Sequence, residues 1–106
     1  EFPYGFSENI FYLFCVSKYP TYLYDEKLKE MPEKFKRYGY CGYSDHTIGI
    51  AAALEAFSRG CTILEKHYSE DIVSQSKYES GHLCSFDKNS LKAFKDLTKQ
   101  LSILRS

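Results

Sequence analysis

The run Tyr40-Cys41-Gly42-Tyr43-Ser44, the Ala-rich residues 48–59 closed by Gly60, and the run 62–67 leave this chain few choices of fold. A short β-favouring run, a helical stretch and a second short run read as a β-α-β unit. Strands joined by a crossover helix run parallel, and the crossover is right-handed almost without exception, so their C-terminal ends lie at one edge. His46 follows the first of those ends, and His67 lies at the second. Neighbouring strands stand about 4.8 Å apart, so two imidazoles leaving the same edge can reach one metal ion. A single histidine at a strand end is most often a hydrogen-bonded structural residue; the matched pair points to a metal. Imidazole suits Zn, Fe and Ni as well as Mn, so the residues themselves do not choose the ion.

The flanks extend the pattern. Residues 1–8 hold Pro3 and Gly5 among aromatics without periodicity and read as an irregular lead-in. Residues 10–16 are almost unbroken apolar, which predicts a buried parallel strand. Residues 17–24 contain Pro20 and leave that strand as a loop at the histidine edge. Asp25 is placed to cap a helix over 26–31, and Pro32 to open a second short helical run over 33–38 that Gly39 ends. The polar residues 69–80 read as a long loop or lid. Asp87 reads as the N-cap of a final helix to about Leu104, with Leu91, Phe94, Leu97, Leu101 and Leu104 as a core-packing stripe. The order is strand, helix three times over, either a small open sheet or the closing sector of a barrel. Parallel strands need both faces covered, so the chain is expected to be part of something longer, to self-associate, or to pair with a missing piece.

At 106 residues there is room for one domain. Fourteen basic residues balance fourteen acidic ones, which calls for neither nucleic acid nor an anionic membrane as partner, while leaving a phosphate-bearing small molecule open. Cys15, Cys41, Cys61 and Cys84 are too widely spaced for a C-x-x-C motif. Free buried thiols in a reducing cytoplasm are expected, the alternative being a disulfide-stapled extracellular module. No signal peptide and no membrane span is legible, and a start at Glu1 suggests a fragment or a processed product.

Three blocks carry a resemblance. Cys15-Val16-Ser17-Lys18-Tyr19-Pro20-Thr21, Gly42-Tyr43-Ser44-Asp45-His46-Thr47-Ile48-Gly49-Ile50 and Ile63-Leu64-Glu65-Lys66-His67-Tyr68 resemble, in order and spacing, the sialic acid synthase family. The similarity runs from about residue 9 to residue 104. It implies an α/β fold of three consecutive β-α units with parallel strands, the last sector of a (β/α)8 TIM barrel, without the family's C-terminal antifreeze-like domain. The implied reaction joins phosphoenolpyruvate to an N-acyl amino sugar, N-acetylmannosamine or its 6-phosphate, giving an N-acetylneuraminate-type sugar acid and phosphate. Precursors of legionaminic or pseudaminic acid are the alternative substrates. A divalent ion is implied, most often Mn2+, with Mg2+ or Co2+ as alternatives, and a homo-oligomer for the full-length protein.

By position, the resemblance makes His46 and His67 metal ligands, Ser17 and Ser44 contacts of phosphoenolpyruvate, and Tyr19 and Glu65 contacts of the sugar, with Glu65 and His67 catalytic. Each has a structural competitor. Ser17 and Ser44 can satisfy strand-end amides, Tyr19 can pack its loop, and Glu65 can pair with Lys66 on the rim. Asp45 reads as structural, orienting His46 or capping the next helix. Two departures matter. The family's Pro-Gly-Pro-Asp loop is replaced by Ser76-Lys77-Tyr78-Glu79-Ser80-Gly81, with Glu79 or His82 as candidate substitutes for its Asp. The phosphoenolpyruvate-binding lysines of the family's other strands are absent, so the 106 residues alone are not expected to catalyse. A degenerate, non-catalytic binding domain is the rival of a different class.

Overall fold

The computed structural model of the chain describes residues 2–70 and 83–106. Strands β1 (Tyr12–Cys15), β2 (Tyr40–Ser44) and β3 (Ile63–Glu65) form one parallel sheet in the order β1-β2-β3. The central strand is β2, whose Ser44 stands level with Cys15 on one side and Glu65 on the other. A 3-10 helix (Glu26–Glu30), helix α1 (Ala51–Ser58) and helix α2 (Lys88–Leu104) complete the described elements. The expected α/β order with parallel strands is therefore present.

Side chains alternate across a strand, and the two faces of this sheet differ. Phe14, Tyr43 and Leu64 point to one face and pack with Met31, Phe35, Ala52 and Ala56 into the core. Full burial of side chains as large as Phe or Met contributes about 1.5–3 kcal/mol each, so this face holds the fold together. Leu13, Gly42 and Ile63 point to the other face and close over one another. A Cβ on Gly42 would stand 2.6 Å from the Ile63 carbonyl oxygen and 2.9 Å from Ile63 Cβ, and would overlap the Leu13 side chain. Only glycine lets the three strands meet at that level.

Local backbone chemistry sets the element ends. Asp25 caps the 3-10 helix by accepting from the Lys27 amide (2.8 Å). α1 begins three residues later than its sequence predicts, because Gly49 holds φ at 87° and interrupts the turn before it can start. It ends at Gly60, φ 91°, where the Gly60 amide reaches the Phe57 carbonyl and the Cys61 amide the Ala56 carbonyl, a Schellman closure. α2 has the capping box expected from Asp87, whose carboxylate accepts from the Ser90 amide while the Ser90 hydroxyl takes the Asp87 amide.

Two expectations are corrected. Residues 33–38 form no helix: the Phe35 amide donates to the Arg59 carbonyl and the Lys36 amide to the Tyr40 carbonyl, both at 2.8 Å. The segment's Phe35 and Lys36 amides go to the end of α1 and to β2, which leaves only a single turn at Arg37–Tyr38 in place of a helix. The stripe on α2 is core only in part. Leu91, Phe94 and Leu101 are half-buried, whereas Leu97 and Leu104 are exposed. The helix rests on α1 and on Phe86, whose ring lies 5.6 Å from that of Phe94, and those contacts cover only one flank of the stripe.

The lead-in is irregular but anchored. Phe2 packs on Tyr12 and Tyr40, and the Arg37 guanidinium donates to the Ser7 and Ile10 carbonyls while lying over Phe11. The loop expected over 69–80 falls, from residue 71 on, outside the described residues, as do Glu79 and His82. All four cysteines are thiols outside any disulfide, as expected, but only Cys41 and Cys84 are buried; Cys61 is half-buried, and Cys15 is exposed because it points to the open face of β1. Among the described residues no helix is long and apolar enough to cross a membrane.

Candidate functional site

Past their last paired residues, β2 and β3 stay in step for one more position, and the polar residues there and just beyond form layers. Ser44 and Glu65 lie on the open face, where the Ser44 hydroxyl donates to Glu65 Oε1 (2.5 Å). One residue further, the Asp45 amide donates to the Glu65 carbonyl (2.9 Å), which carries the pairing on. The side chains of Asp45 and Lys66 lie beneath the rim: Lys66 Nζ donates to Asp45 Oδ2 at 3.0 Å, and both side chains are essentially inaccessible, 0% and 1% exposed. One residue further again come His46 and His67.

Asp45 is saturated. Besides Lys66, its Oδ1 accepts from the Thr47 amide (2.8 Å), the Thr47 hydroxyl (2.6 Å) and the Tyr43 phenol (3.2 Å). Burial first, and then the adjacent Asp45 carboxylate, push the Tyr43 phenol far above its ordinary value. Lys66 Nζ also donates to the Thr47 carbonyl (2.6 Å) and stands 5.1 Å from the centre of the Phe86 ring. The structural role expected of Asp45 is present, but it holds Thr47 and Lys66 rather than the ring of His46 or a helix start. The suggested Glu65–Lys66 pair is corrected: Lys66 turns inward to Asp45, and Glu65 takes the Ser44 hydroxyl instead.

His46 is buried, and its ring orientation is fixed at both nitrogens. Nδ1 lies 2.7 Å from the Val16 carbonyl oxygen. A carbonyl only accepts, so Nδ1 carries the hydrogen and the lone pair of the neutral ring sits on Nε2. Nε2 faces the Tyr19 hydroxyl at 3.0 Å, and the two rings lie 4.1 Å apart, centre to centre. His67 is exposed, with its ring 6.0 Å from the same Tyr19 ring and edge-on to it. The Thr21 amide holds the His46 carbonyl (2.9 Å), tying the loop after β1 to this edge.

Tyr19, His46 and His67 are thus brought together, and Ser44 is brought to Glu65. Ser17 is exposed and meets the group only through Cys15, whose Sγ is 4.0 Å from Ser17 Oγ and 3.7 Å and 3.9 Å from the two ring nitrogens of His46. The arrangement suits a divalent ion at His46: a histidine ligand ordinarily donates its other N–H to a carbonyl or carboxylate, and Val16 already accepts it. Among the described residues no three His, Cys, Asp or Glu side chains gather to hold a metal. An ion held by two imidazoles would draw its other ligands from substrate, water or residues beyond those described, the open coordination of a catalytic site.

Two members of this edge were missed in the sequence. The sequence suggests Lys66 as a rim cation, although it sits one position past Glu65 on the face that Tyr43 and Leu64 bury, and that parity is the available clue. Cys15, expected among the buried thiols, is exposed and lies level with Ser44.

The NeuB family profile matches residues 4–105. This chain belongs to the NeuB family. It is 34% identical over 87 residues to the N,N'-diacetyllegionaminic acid synthase of Legionella pneumophila, covering 81% of this chain and 24% of that protein. It is 33% identical over 93 residues to the pseudaminic acid synthase of Helicobacter pylori, covering 87% and 26%. Against the N-acetylneuraminate-9-phosphate synthase of Drosophila melanogaster it is 33% identical over 88 residues, covering 81% and 23%. The chain therefore spans about a quarter of the length of these sialic acid-type synthases.

Proposed function

We propose that the gene product carrying this chain is a phosphoenolpyruvate-dependent sugar acid synthase, and that these residues are the metal-bearing sector of its (β/α)8 barrel. The observation that carries the reading is the grouping of His46, Tyr19 and His67 at the C-terminal edge of a parallel sheet, beside the Ser44–Glu65 pair. That edge is where barrel enzymes place their chemistry. Further strands would cover the open face carrying Leu13, Cys15 and Ile63, the cover a parallel sheet requires.

In the reaction, a carbon–carbon bond forms between the methylene carbon of phosphoenolpyruvate and the aldehyde carbon of an open-chain N-acyl sugar. Water adds at the enol carbon, and the carbon–oxygen bond to phosphate breaks. A divalent ion, Mn2+ foremost, with Mg2+ or Co2+ as alternatives, supplies Lewis acidity at the aldehyde oxygen when held by His46 and His67. Val16 fixes the His46 tautomer so that the lone pair is on Nε2, which the Tyr19 hydroxyl faces at 3.0 Å and would yield to the ion. Ser17 and Ser44 offer hydroxyls to phosphoenolpyruvate. Tyr19 walls the sugar side, and Glu65, placed by Ser44, moves a proton there.

N-acetylmannosamine or its 6-phosphate is one candidate sugar. The names of the bacterial relatives favour the precursors of legionaminic or pseudaminic acid as a second reading. Phosphate release from the complete gene product, with phosphoenolpyruvate, Mn2+ and each of these sugars in turn, decides. Release with one sugar, abolished by His46→Ala, supports the synthase and names its substrate. No release with any sugar from a protein that binds Mn2+ overturns it in favour of a binding scaffold.

A further inference from the structure

The Asp45–Lys66 pair is the most deeply buried charged contact among the described residues, and the roles assigned to the edge do not use it. Its connections are specific. Asp45 immediately precedes His46 and Lys66 immediately precedes His67. Lys66 Nζ donates to Asp45 Oδ2 (3.0 Å) and to the Thr47 carbonyl (2.6 Å), so one ammonium grips the residues on both sides of His46 while its own backbone carries His67. Asp45 locks the same short stretch through the Thr47 amide and hydroxyl. The far side of Lys66 is closed by the Phe86 ring, and the Phe86 amide donates to the His67 carbonyl (2.7 Å).

A buried ion pair is a poor device for stability alone, because desolvation of both charges offsets their attraction and a packed apolar pair often does as well. It is a good device for geometry, since charge-assisted hydrogen bonds are short and directional. β2 and β3 have by this point left the regular ladder, and the bond of the Asp45 amide to the Glu65 carbonyl is the last backbone tie between them on this edge among the described residues. Past that tie, the Lys66 ammonium links the two histidine-bearing stretches directly, through Asp45 and the Thr47 carbonyl.

We propose that Lys66, through Asp45 and Thr47, is a positioning residue that sets the separation and orientation of His46 and His67 for a shared divalent ion. This rests on the metal-site reading given above. Lys66 touches neither the ion nor the substrate; its effect is exerted through both imidazoles at once.

The test measures Mn2+ affinity of the complete gene product directly, from the loss of the free-ion electron paramagnetic resonance signal, with thermal melting of each metal-free variant in parallel. Lys66→Met removes the grip, and Asp45→Asn removes the charge at nearly unchanged shape, which guards against a Met variant that fails to fold. Both are expected to weaken Mn2+ binding by about 10- to 100-fold, the size of effect that removal of a ligand-orienting group has on metal sites. Phe35→Leu, in the core away from the edge, is expected to lower the melting temperature with Mn2+ affinity unchanged. A folded Lys66→Met or Asp45→Asn protein that binds Mn2+ within threefold of the parent overturns the positioning role. So does a Phe35→Leu protein that loses affinity in proportion to its stability. A parent that binds no Mn2+, or a His46→Ala protein that binds it as the parent does, overturns the metal-site reading itself and is recognisable as that separate failure.

Discussion

Gly42→Ala adds one methyl group at the most crowded point of the sheet, and the structure indicates how it should fail. Of the three atoms the new Cβ would meet, the Ile63 carbonyl oxygen at 2.6 Å is backbone and Ile63 Cβ at 2.9 Å is fixed to backbone; only the Leu13 side chain can rotate away. Relief therefore requires β2 and β3 to part. Overpacking a core costs about 1–3 kcal/mol, and with two immovable obstacles the cost belongs at the top, about 3 kcal/mol. With guanidinium slopes of about 2–6 kcal/mol/M for small proteins, the unfolding midpoint should fall by roughly 0.5–1.5 M. Gly39→Ala is the control, because its nearest neighbour is the Lys36 carbonyl oxygen at 4.0 Å and its backbone is not left-handed; it should stay within about 0.5 kcal/mol of the parent. Paired guanidinium titrations followed by circular dichroism measure both. If Gly42→Ala moves the midpoint no further than Gly39→Ala, the closure of Leu13 and Ile63 over Gly42 is slack, and the argument that glycine is required there fails.

Three further outcomes are expected. Burial and Asp45 raise the Tyr43 phenol above its ordinary value near 10, so the stability it contributes is complete below about pH 10 and is lost as pH rises toward the folded value; ultraviolet titration should show one tyrosine ionising only with alkaline unfolding, a step absent in Tyr43→Phe, which should also lose about 1 kcal/mol with its bond to Asp45. The Asp87 carboxyl is held below its ordinary value by the Ser90 amide and hydroxyl, so its contribution to α2 is present above about pH 4 and is lost as pH falls through the folded value; the protection of the Ser90 and Leu91 amides, their exchange measured against the intrinsic rate at each pH, should fall on acidification in the parent and show no such step in Asp87→Ala. Cys15 is exposed, whereas Cys41 and Cys84 are buried and burial raises the Cys61 and Cys84 thiols; a thiol reagent followed by peptide mass spectrometry should label Cys15 first, and four equal rates would contradict the placement of these side chains.

Period and punctuation made much of this chain legible. The alternating runs, Gly60 and Asp87 each act through neighbours within a few residues, so β1 to β3, the end of α1 and the start of α2 could be read directly. The misreadings share a different cause, a partner distant in sequence. Residues 33–38 have helical composition but give the Phe35 amide to Arg59, 24 positions away. Leu97 and Leu104 keep helical spacing although no described element covers them. Lys66 looks like a surface cation until Asp45, 21 positions earlier, is seen beside it. Local propensity contains none of these pairings.

The edge itself follows from one rule carried past the point where the strands end. Ser44 and Glu65 are partners in register, so Asp45 with Lys66 and His46 with His67 are the next two partners if pairing continues, and alternation sends the middle pair to the opposite face. That face is the one Phe14, Tyr43 and the Ala residues of α1 bury, so a carboxylate and an ammonium arriving there together must neutralise each other or leave a charge stranded in the core. The outer pairs return to the open face, where the Ser44 hydroxyl meets the Glu65 carboxylate and the buried His46 ring lies under Tyr19 while His67 is exposed. A single sequence offset thus yields a buried ionic layer between two polar ones, each with an exposed member, Glu65 and His67. Moving Lys66 by one position in either direction would place the ammonium among the imidazoles, where its charge would repel the cation that the histidines are arranged to receive.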